Sequence, residues 1–110
     1  MTGDAIPQLE TARLTLRAPA FQDRRAYQEF YADGDASAFY GGPLPAHEAW
    51  NYLARDLGHW HLRGYGKWVV TAKDDGGVVG GCGLHWPDGW PRPELSWWIA
   101  PAYRRKGFAK

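Results

Sequence analysis

The hydrophobic repeat of this chain changes once, near Gly64, and this change constrains the fold more than any other feature. Residues 46–63 carry large apolar side chains at intervals of three and four, which predicts an amphipathic helix that Gly64 would end. These side chains, predicted to be core, are Trp50, Leu53, Leu57 and Trp60. After Gly66 the repeat becomes two, the period of a strand. A chain that switches in this way combines helix and sheet.

Three short strands are predicted after the switch, over residues 67–73, 78–86 and 94–100. Residues 74–77 read Asp-Asp-Gly-Gly, a hairpin turn between the first two. The second strand contains Gly80, Gly81 and Gly83, which indicates a bulge or a close approach by another group. The third alternates in side-chain direction. One face carries Leu95, Trp97 and Ile99, and the other Glu94, Ser96 and Trp98.

Two further elements precede the long helix. Residues 9–17 alternate apolar and polar, which predicts a strand, and residues 22–32 place aromatic side chains at helical spacing with Asp23 in the first turn. The predicted order is therefore strand, helix, helix and three strands, an α+β fold class with a mostly antiparallel sheet.

Composition narrows the class of protein. The 110 residues suit one domain, and 13 Lys plus Arg against 12 Asp plus Glu argue against a nucleic-acid partner, which requires a basic excess. No apolar run approaches the ~18 residues of a membrane span. The single cysteine, Cys82, and the lack of a signal-peptide pattern in residues 1–7 predict a cytoplasmic protein without a membrane partner.

The last seven residues form the sharpest motif, a basic stretch with small residues that follows the last strand. Helix N-termini expose unpaired N–H groups, and a glycine lets a phosphate approach them, so this segment predicts an anion cradle. A solvated basic tail is the alternative. The segment reads Arg104, Arg105, Lys106, Gly107, Phe108, Ala109 and Lys110.

These features resemble the GNAT N-acetyltransferases, especially their RimJ/RimL-like branch. The coenzyme A motif of that family, Gln/Arg-x-x-Gly-x-Gly/Ala, matches Arg104, Gly107 and Ala109. Residues 10–17 (ETARLTLR) are similar to the first strand of the branch, and residues 94–101 (ELSWWIAP) to its fourth. The order of elements is also that of the family.

The resemblance implies an acetyl-CoA-dependent transfer of an acetyl group to a primary amine, on a protein N-terminus or a small molecule, without a metal. The pyrophosphate would bind the backbone amides of residues 105–109, and the cofactor-binding residues of the motif would be Arg104, Arg105, Lys106, Gly107, Phe108 and Ala109. The pantetheine arm would pair with the backbone near Trp98, Ile99 and Ala100. The N–H near Ile99 would polarise the thioester carbonyl.

Glu94 is the candidate general base, because many relatives carry an acidic residue on this strand. A strand-entry carboxylate paired with Arg92 or solvent is the alternative, and His85 is a weaker candidate. The loop residues Phe39, Tyr40, Gly41 and Gly42 could line the acceptor pocket, as that region does in relatives, or only pack within their loop.

Other residue types are interpreted structurally. His59 and His61 stand two apart on a helix and point to different faces, which argues against a metal site. Cys82 is expected to fill space in a strand rather than act as a nucleophile.

We expect the chain to be the N-terminal part of a single GNAT domain, truncated at the start of the helix after the fourth strand. On this expectation the 110 residues bind acetyl-CoA weakly and show little activity. Homodimers occur among similar proteins. The competing hypotheses are a binding module that stacks Trp86, Trp90, Trp97 and Trp98 on a sugar or base, and a non-catalytic fragment.

Overall fold

The computed structural model describes residues 6–103 and shows helices packed against one antiparallel sheet. Residues 1–5 and 104–110 lie outside the described residues, and with them the whole predicted pyrophosphate motif. The helices are α1 (Arg24–Ala32), α2 (Gly34–Ser37) and α3 (Ala46–Arg63), and the strands are β1 (Leu9–Glu10), β2 (Leu14–Arg17), β3 (Lys67–Ala72), β4 (Val78–His85) and β5 (Glu94–Ile99).

The described sheet has five strands in the order β1-β2-β3-β4-β5, and every neighbouring pair is antiparallel. This confirms the predicted α+β class. β5 is therefore the edge strand of the described sheet, a position that decides what can reach its backbone.

Helix α3 has the bounds that the sequence predicted. Gly64 adopts a φ of 83°, and its N–H donates to the Trp60 carbonyl over 2.8 Å, which ends the helix in a left-handed cap. Leu53 and Trp60 are buried as expected. Trp50 is not core, since 42% of it is exposed and its ring meets the edge of Phe21 at 5.8 Å.

The single strand predicted over residues 9–17 is wrong, because it is a hairpin of β1 and β2. The Thr11 hydroxyl accepts from the backbone N–H of Leu14 over 3.0 Å, and the Thr11 N–H donates to the Leu14 carbonyl over 2.9 Å. A threonine that closes such a turn competes with an extended backbone. Alternation alone does not reveal this competition.

A buried carboxylate joins β2 to α1. Asp23 is 1% exposed, and its oxygens accept from the Arg17 guanidinium over 2.7 and 2.9 Å and from the Ala20 N–H over 2.8 Å. This places Phe21–Asp23 in a 3-10 turn, so α1 begins at Arg24 rather than at residue 22. The pair fixes the angle at which the chain leaves the sheet.

The main core lies between the helices and one face of the sheet. Trp98 of β5 is 4% exposed, and its ring centroid lies 5.0 Å from that of Tyr27 and 4.9 Å from that of Phe30. Val69 of β3 and Leu53 of α3 complete the contact. A smaller apolar cluster surrounds Val70, Ala72 and Val79, and residues 6–103 contribute no α-helix to it.

The glycines of β4 let β5 come close. A β-carbon on Gly80 would lie 1.9 Å from the Trp98 carbonyl oxygen, which no side chain tolerates. The predicted close approach is thus present. The predicted bulge is present as well, because Val70 and Thr71 of β3 pair with Gly80 and Val78, which leaves Val79 as an extra residue of β4.

Removing the buried carboxylate should destabilise the fold. We expect Asp23→Ala to lower the free energy of unfolding by about 3–5 kcal/mol, because the Arg17 guanidinium loses its partner. Urea denaturation followed by circular dichroism measures this. Asp74→Ala, in the exposed hairpin turn, should change it by less than about 0.5 kcal/mol, and equal effects would contradict the assigned role.

Two alanine substitutions should act in opposite directions. Gly80→Ala should lower the free energy of unfolding by about 1–3 kcal/mol, because the new methyl group forces β4 and β5 apart. Gly58→Ala should raise it by about 0.5–1 kcal/mol, since the helical Gly58 has open space around its β-carbon position. Thermal unfolding of both variants checks the close contact between the strands.

Candidate functional site

A pocket of about 450 Å³ opens between the helices and the first half of β5. The loop before α3 contributes Phe39 and Tyr40 to its lining, whereas Gly41 and Gly42 are not among the lining residues. Its polar lining side chains come from both layers and are Arg55, Lys67, His85, Glu94 and Ser96. A concave site with aromatic walls and a few convergent polar groups is the usual form of a small-molecule site.

Strand register explains why these side chains meet. Gly83 of β4 lies opposite Lys67 of β3 and opposite Ser96 of β5, and His85 lies opposite Glu94. Residues opposite one another, and those two apart, share a face of an antiparallel sheet. Gly83 adds no side chain to this row, and a β-carbon there would lie 2.1 Å from the Gly66 carbonyl oxygen, so glycine lets the backbone before β3 approach β4 closely.

Lys67 is a buried side chain on the sheet side of this pocket. Its side chain is 4% exposed, and its Nζ lies 3.8 Å from Oδ1 of Asp56. Burial lowers the pKa of Lys67, while the Asp56 charge opposes that effect. The Asp56 carboxylate also accepts from the Tyr27 hydroxyl over 2.7 Å and pairs with Arg55 over 3.2 Å. One carboxylate thus serves three partners.

His85 is a neutral imidazole next to these cations. Burial, followed by the charges of Lys67 and Arg55, lowers the pKa of His85 to about 4. The ring stacks on His59 at 5.2 Å and meets the edge of Trp90 at 5.3 Å. Within residues 6–103, its Nδ1 is the buried side-chain atom that has no hydrogen-bond partner.

His59 has a structural role. Its Nε2 accepts from the Trp86 N–H over 2.8 Å, and its Nδ1 lies 2.8 Å from the Tyr65 carbonyl, which requires a proton on Nδ1. His61 is exposed. Across the described residues, no group of three or more His, Cys, Asp or Glu side chains is placed to hold a metal.

Glu94, the candidate base, lies at the exposed rim of the pocket. Among residues 6–103, Glu94 forms no ion pair with Arg92. The alternative in which Arg92 neutralises Glu94 is therefore not observed. Cys82 is partly buried on β4, and burial raises the pKa of its thiol, which disfavours a nucleophilic thiolate.

The residues predicted to bind the pantetheine arm differ in whether their backbone groups point toward β4 or toward the outer edge of β5. The Ala100 N–H donates to the Val79 carbonyl over 2.6 Å, so alternation also turns the Trp98 backbone toward β4 and the Ile99 backbone outward. The Trp97 carbonyl faces outward as well and accepts from the Tyr40 hydroxyl. Of Trp98, Ile99 and Ala100, only Ile99 presents its N–H to the outer edge.

Several pocket residues were missed from the sequence. Lys67 begins a strand and resembles a solvated edge charge, and Arg55 lies on a helix, where an arginine is usually exposed. The one usable signal was that Lys67 shares a strand face with Val69, which the core requires to be buried.

No helix within residues 6–103 is long and apolar enough to cross a bilayer.

Comparison with known proteins gives the family. A family model described as acetyltransferase (GNAT) domain matches residues 13–110. An acetyltransferase from Agrobacterium tumefaciens is similar at 33% identity with a TM-score of 0.82, over 94% of this chain and 60% of that protein.

Two more distant structures share the fold. A GNAT-family acetyltransferase from Bacillus anthracis is 21% identical, with a TM-score of 0.73 over 93% of this chain and 58% of its own. A proposed ribosomal-protein-serine acetyltransferase from Vibrio cholerae is 17% identical, with a TM-score of 0.67 over 92% and 59%. The chain spans about 60% of the length of the Agrobacterium protein. Because the family match covers most of the sequence, the chain belongs to the GNAT acetyltransferase family.

Proposed function

We propose that the protein transfers an acetyl group from acetyl-CoA to a primary amine that enters the pocket. The observation that carries this proposal is the outer edge of β5, which runs along the pocket that Glu94, Ser96 and Trp97 line. An edge strand offers backbone donors and acceptors to any extended chain. Donor and acceptor substrates would therefore meet at one strand.

The residues of this edge suit acetyl-CoA. The pantetheine arm carries amide groups, which the outward N–H of Ile99 can pair with as a neighbouring strand would. We place the pyrophosphate on residues 104–109, directly after the 3-10 turn Pro101–Tyr103 that ends the described chain. When bound, acetyl-CoA supplies the thioester whose C–S bond is exchanged for the amide C–N bond.

The chain's own groups would prepare the amine. An amine attacks only when neutral, and Glu94 at the rim is placed to take its proton, directly or through one water. An outward backbone N–H, that of Ile99 or Trp97, would stabilise the charge that develops on the carbonyl oxygen. His85 is neutral already and holds too weakly basic an imidazole for this role.

The branch of the family and the extent of the domain are part of the same proposal. The sequence resemblance to RimJ/RimL-like enzymes and the shared fold with the Vibrio protein support that branch. The same proposal includes the expectation that the 110 residues are the N-terminal part of one domain and have little activity by themselves. A cytoplasmic location and homodimerisation stay predictions.

The aromatic binding module is less favoured. Trp98 is 4% exposed and belongs to the core, so it cannot stack on a sugar or base. The Trp86 indole N–H donates to the Trp90 carbonyl, which ties these two residues to their loop. Of the four tryptophans, only Trp97 is more than half exposed.

Glu94→Gln should lower kcat by roughly 10²–10⁴-fold and remove the acidic limb of its pH profile, because the amide cannot accept the proton. Coenzyme A thiol release measures the rate, in the 110-residue chain and in one extended along the reading frame. Glu48→Gln, an exposed carboxylate of α3, should leave the rate unchanged. An unchanged kcat and profile in Glu94→Gln would remove it as base.

Gly107→Glu should weaken coenzyme A binding by at least about tenfold, because the side chain would fill the phosphate position and repel it. Isothermal titration calorimetry with coenzyme A measures the affinity in both chain lengths. Gly34→Glu adds the same charge where a β-carbon has open space. Equal affinity in both variants would place the pyrophosphate elsewhere.

A further inference from the structure

We propose that the inner end of this pocket is an anion subsite, made by Lys67, Arg55 and His85. The acceptor would then be a small amine that carries a carboxylate, as a free amino acid does. This proposal rests on the proposed acetyl transfer and names its substrate class. It comes from the charge balance of the pocket.

The cations of the inner end exceed its anions. Lys67 and Arg55 both line the pocket, and the carboxylate that faces them is Asp56. Asp56 is engaged already, by the Tyr27 hydroxyl at 2.7 Å and by Arg55 at 3.2 Å. The 3.8 Å from Lys67 Nζ to Asp56 is longer than a hydrogen bond. One positive charge is left for an anion to balance.

Because Lys67 is buried, water does not compensate the excess positive charge. The Lys67 side chain is 4% exposed, so water cannot solvate its ammonium as it would at the surface. Arg55 is held in place because its guanidinium lies 4.5 Å from the centroid of the Tyr52 ring. Two positioned cations with one shared carboxylate are suited to bind a second carboxylate.

His85 supplies a neutral donor at the same place. Its ring is 4% exposed and lines the pocket, and its Nδ1 has no partner among residues 6–103. A neutral imidazole with its proton on Nδ1 can donate to a carboxylate oxygen without adding charge. A bound ligand would thus satisfy an atom that the described fold leaves unpaired.

The rim carries the opposite charge. Glu94 is the carboxylate among the lining residues, and it is exposed. A zwitterion would place its carboxylate toward Lys67 and its amine toward Glu94, where the proposed proton transfer occurs. The N-terminus of a peptide lacks a carboxylate beside its amine, so the arrangement favours free amino acids. A volume of about 450 Å³ suits such a ligand.

The test is binding to the 110-residue chain, followed by nuclear magnetic resonance of the histidine side chains. Leucine and phenylalanine are titrated, each beside its primary amide, which has the same shape without the charge. We expect at least about tenfold tighter binding of each acid. The acid should also shift the His85 imidazole and raise its pKa, because a nearby anion favours the charged ring.

Variants separate this role from a structural one. Lys67→Met should remove the preference for the acid, and Lys73→Met, an exposed lysine paired with Glu10, should keep it. If Lys67→Met does not fold, Arg55→Gln decides the question, because Arg55 is partly exposed and its loss should reduce the preference several-fold. The subsite is overturned if the acid and the amide bind equally or if neither binds. It is also overturned if the preference for the acid survives in Lys67→Met, or in Arg55→Gln where Lys67→Met does not fold.

Acetyl transfer to the same compounds distinguishes the two proposals. Selective binding without transfer in the extended chain would leave the subsite standing and overturn the proposed function. Transfer that does not distinguish acid from amide, or that prefers a dipeptide amide, would overturn the subsite and leave the acetyltransferase proposal intact.

Discussion

The carboxylate of Asp56 is the contact on which both the fold and the pocket depend. It is 1% exposed, and it links α3 to α1 through the Tyr27 hydroxyl and to β3 through Lys67. A buried charge is tolerated only where partners surround it, so the helix layer and the sheet must hold their relative positions. Burial lowers the pKa of Lys67, and the same carboxylate opposes that effect and contributes part of the field at His85. Stability and site electrostatics therefore share one residue.

The second constraint is the packing of β5. Trp98 enters the core beside Tyr27 and Phe30, and the glycines of β4 allow its backbone to approach. Because β5 is held on that side, its other edge can be presented in a fixed orientation. A preorganised edge is what a backbone-pairing cosubstrate requires, since ordering it at binding would cost affinity. Core packing thus contributes directly to the proposed chemistry.

Periodicity and glycine chemistry were enough to predict most elements. Helix α3 and its Gly64 cap, the hairpin at residues 74–77 and the faces of β5 all follow from local patterns that the core reinforces. The two elements that were predicted wrongly depend on a different kind of local interaction. The hairpin at Thr11 and the 3-10 turn at Asp23 depend on side-chain hydrogen bonds to the backbone, which a hydrophobic pattern does not contain.

The pocket was harder to predict, because its key residues are distant in sequence and are polar. Phe39 and Glu94 were identified through a family resemblance, whereas Lys67 and Arg55 were not identified at all. Lysine and arginine are rarely buried unless paired, so a sequence offers no reason to place one in an interior. What places Lys67 there is the opposite Gly83 and the carboxylate of Asp56, one across the sheet and one across the helix interface. Only tertiary structure brings those three positions together. The result is a buried Lys67 whose charge is incompletely paired. Ionisable groups in such surroundings are concentrated at functional sites.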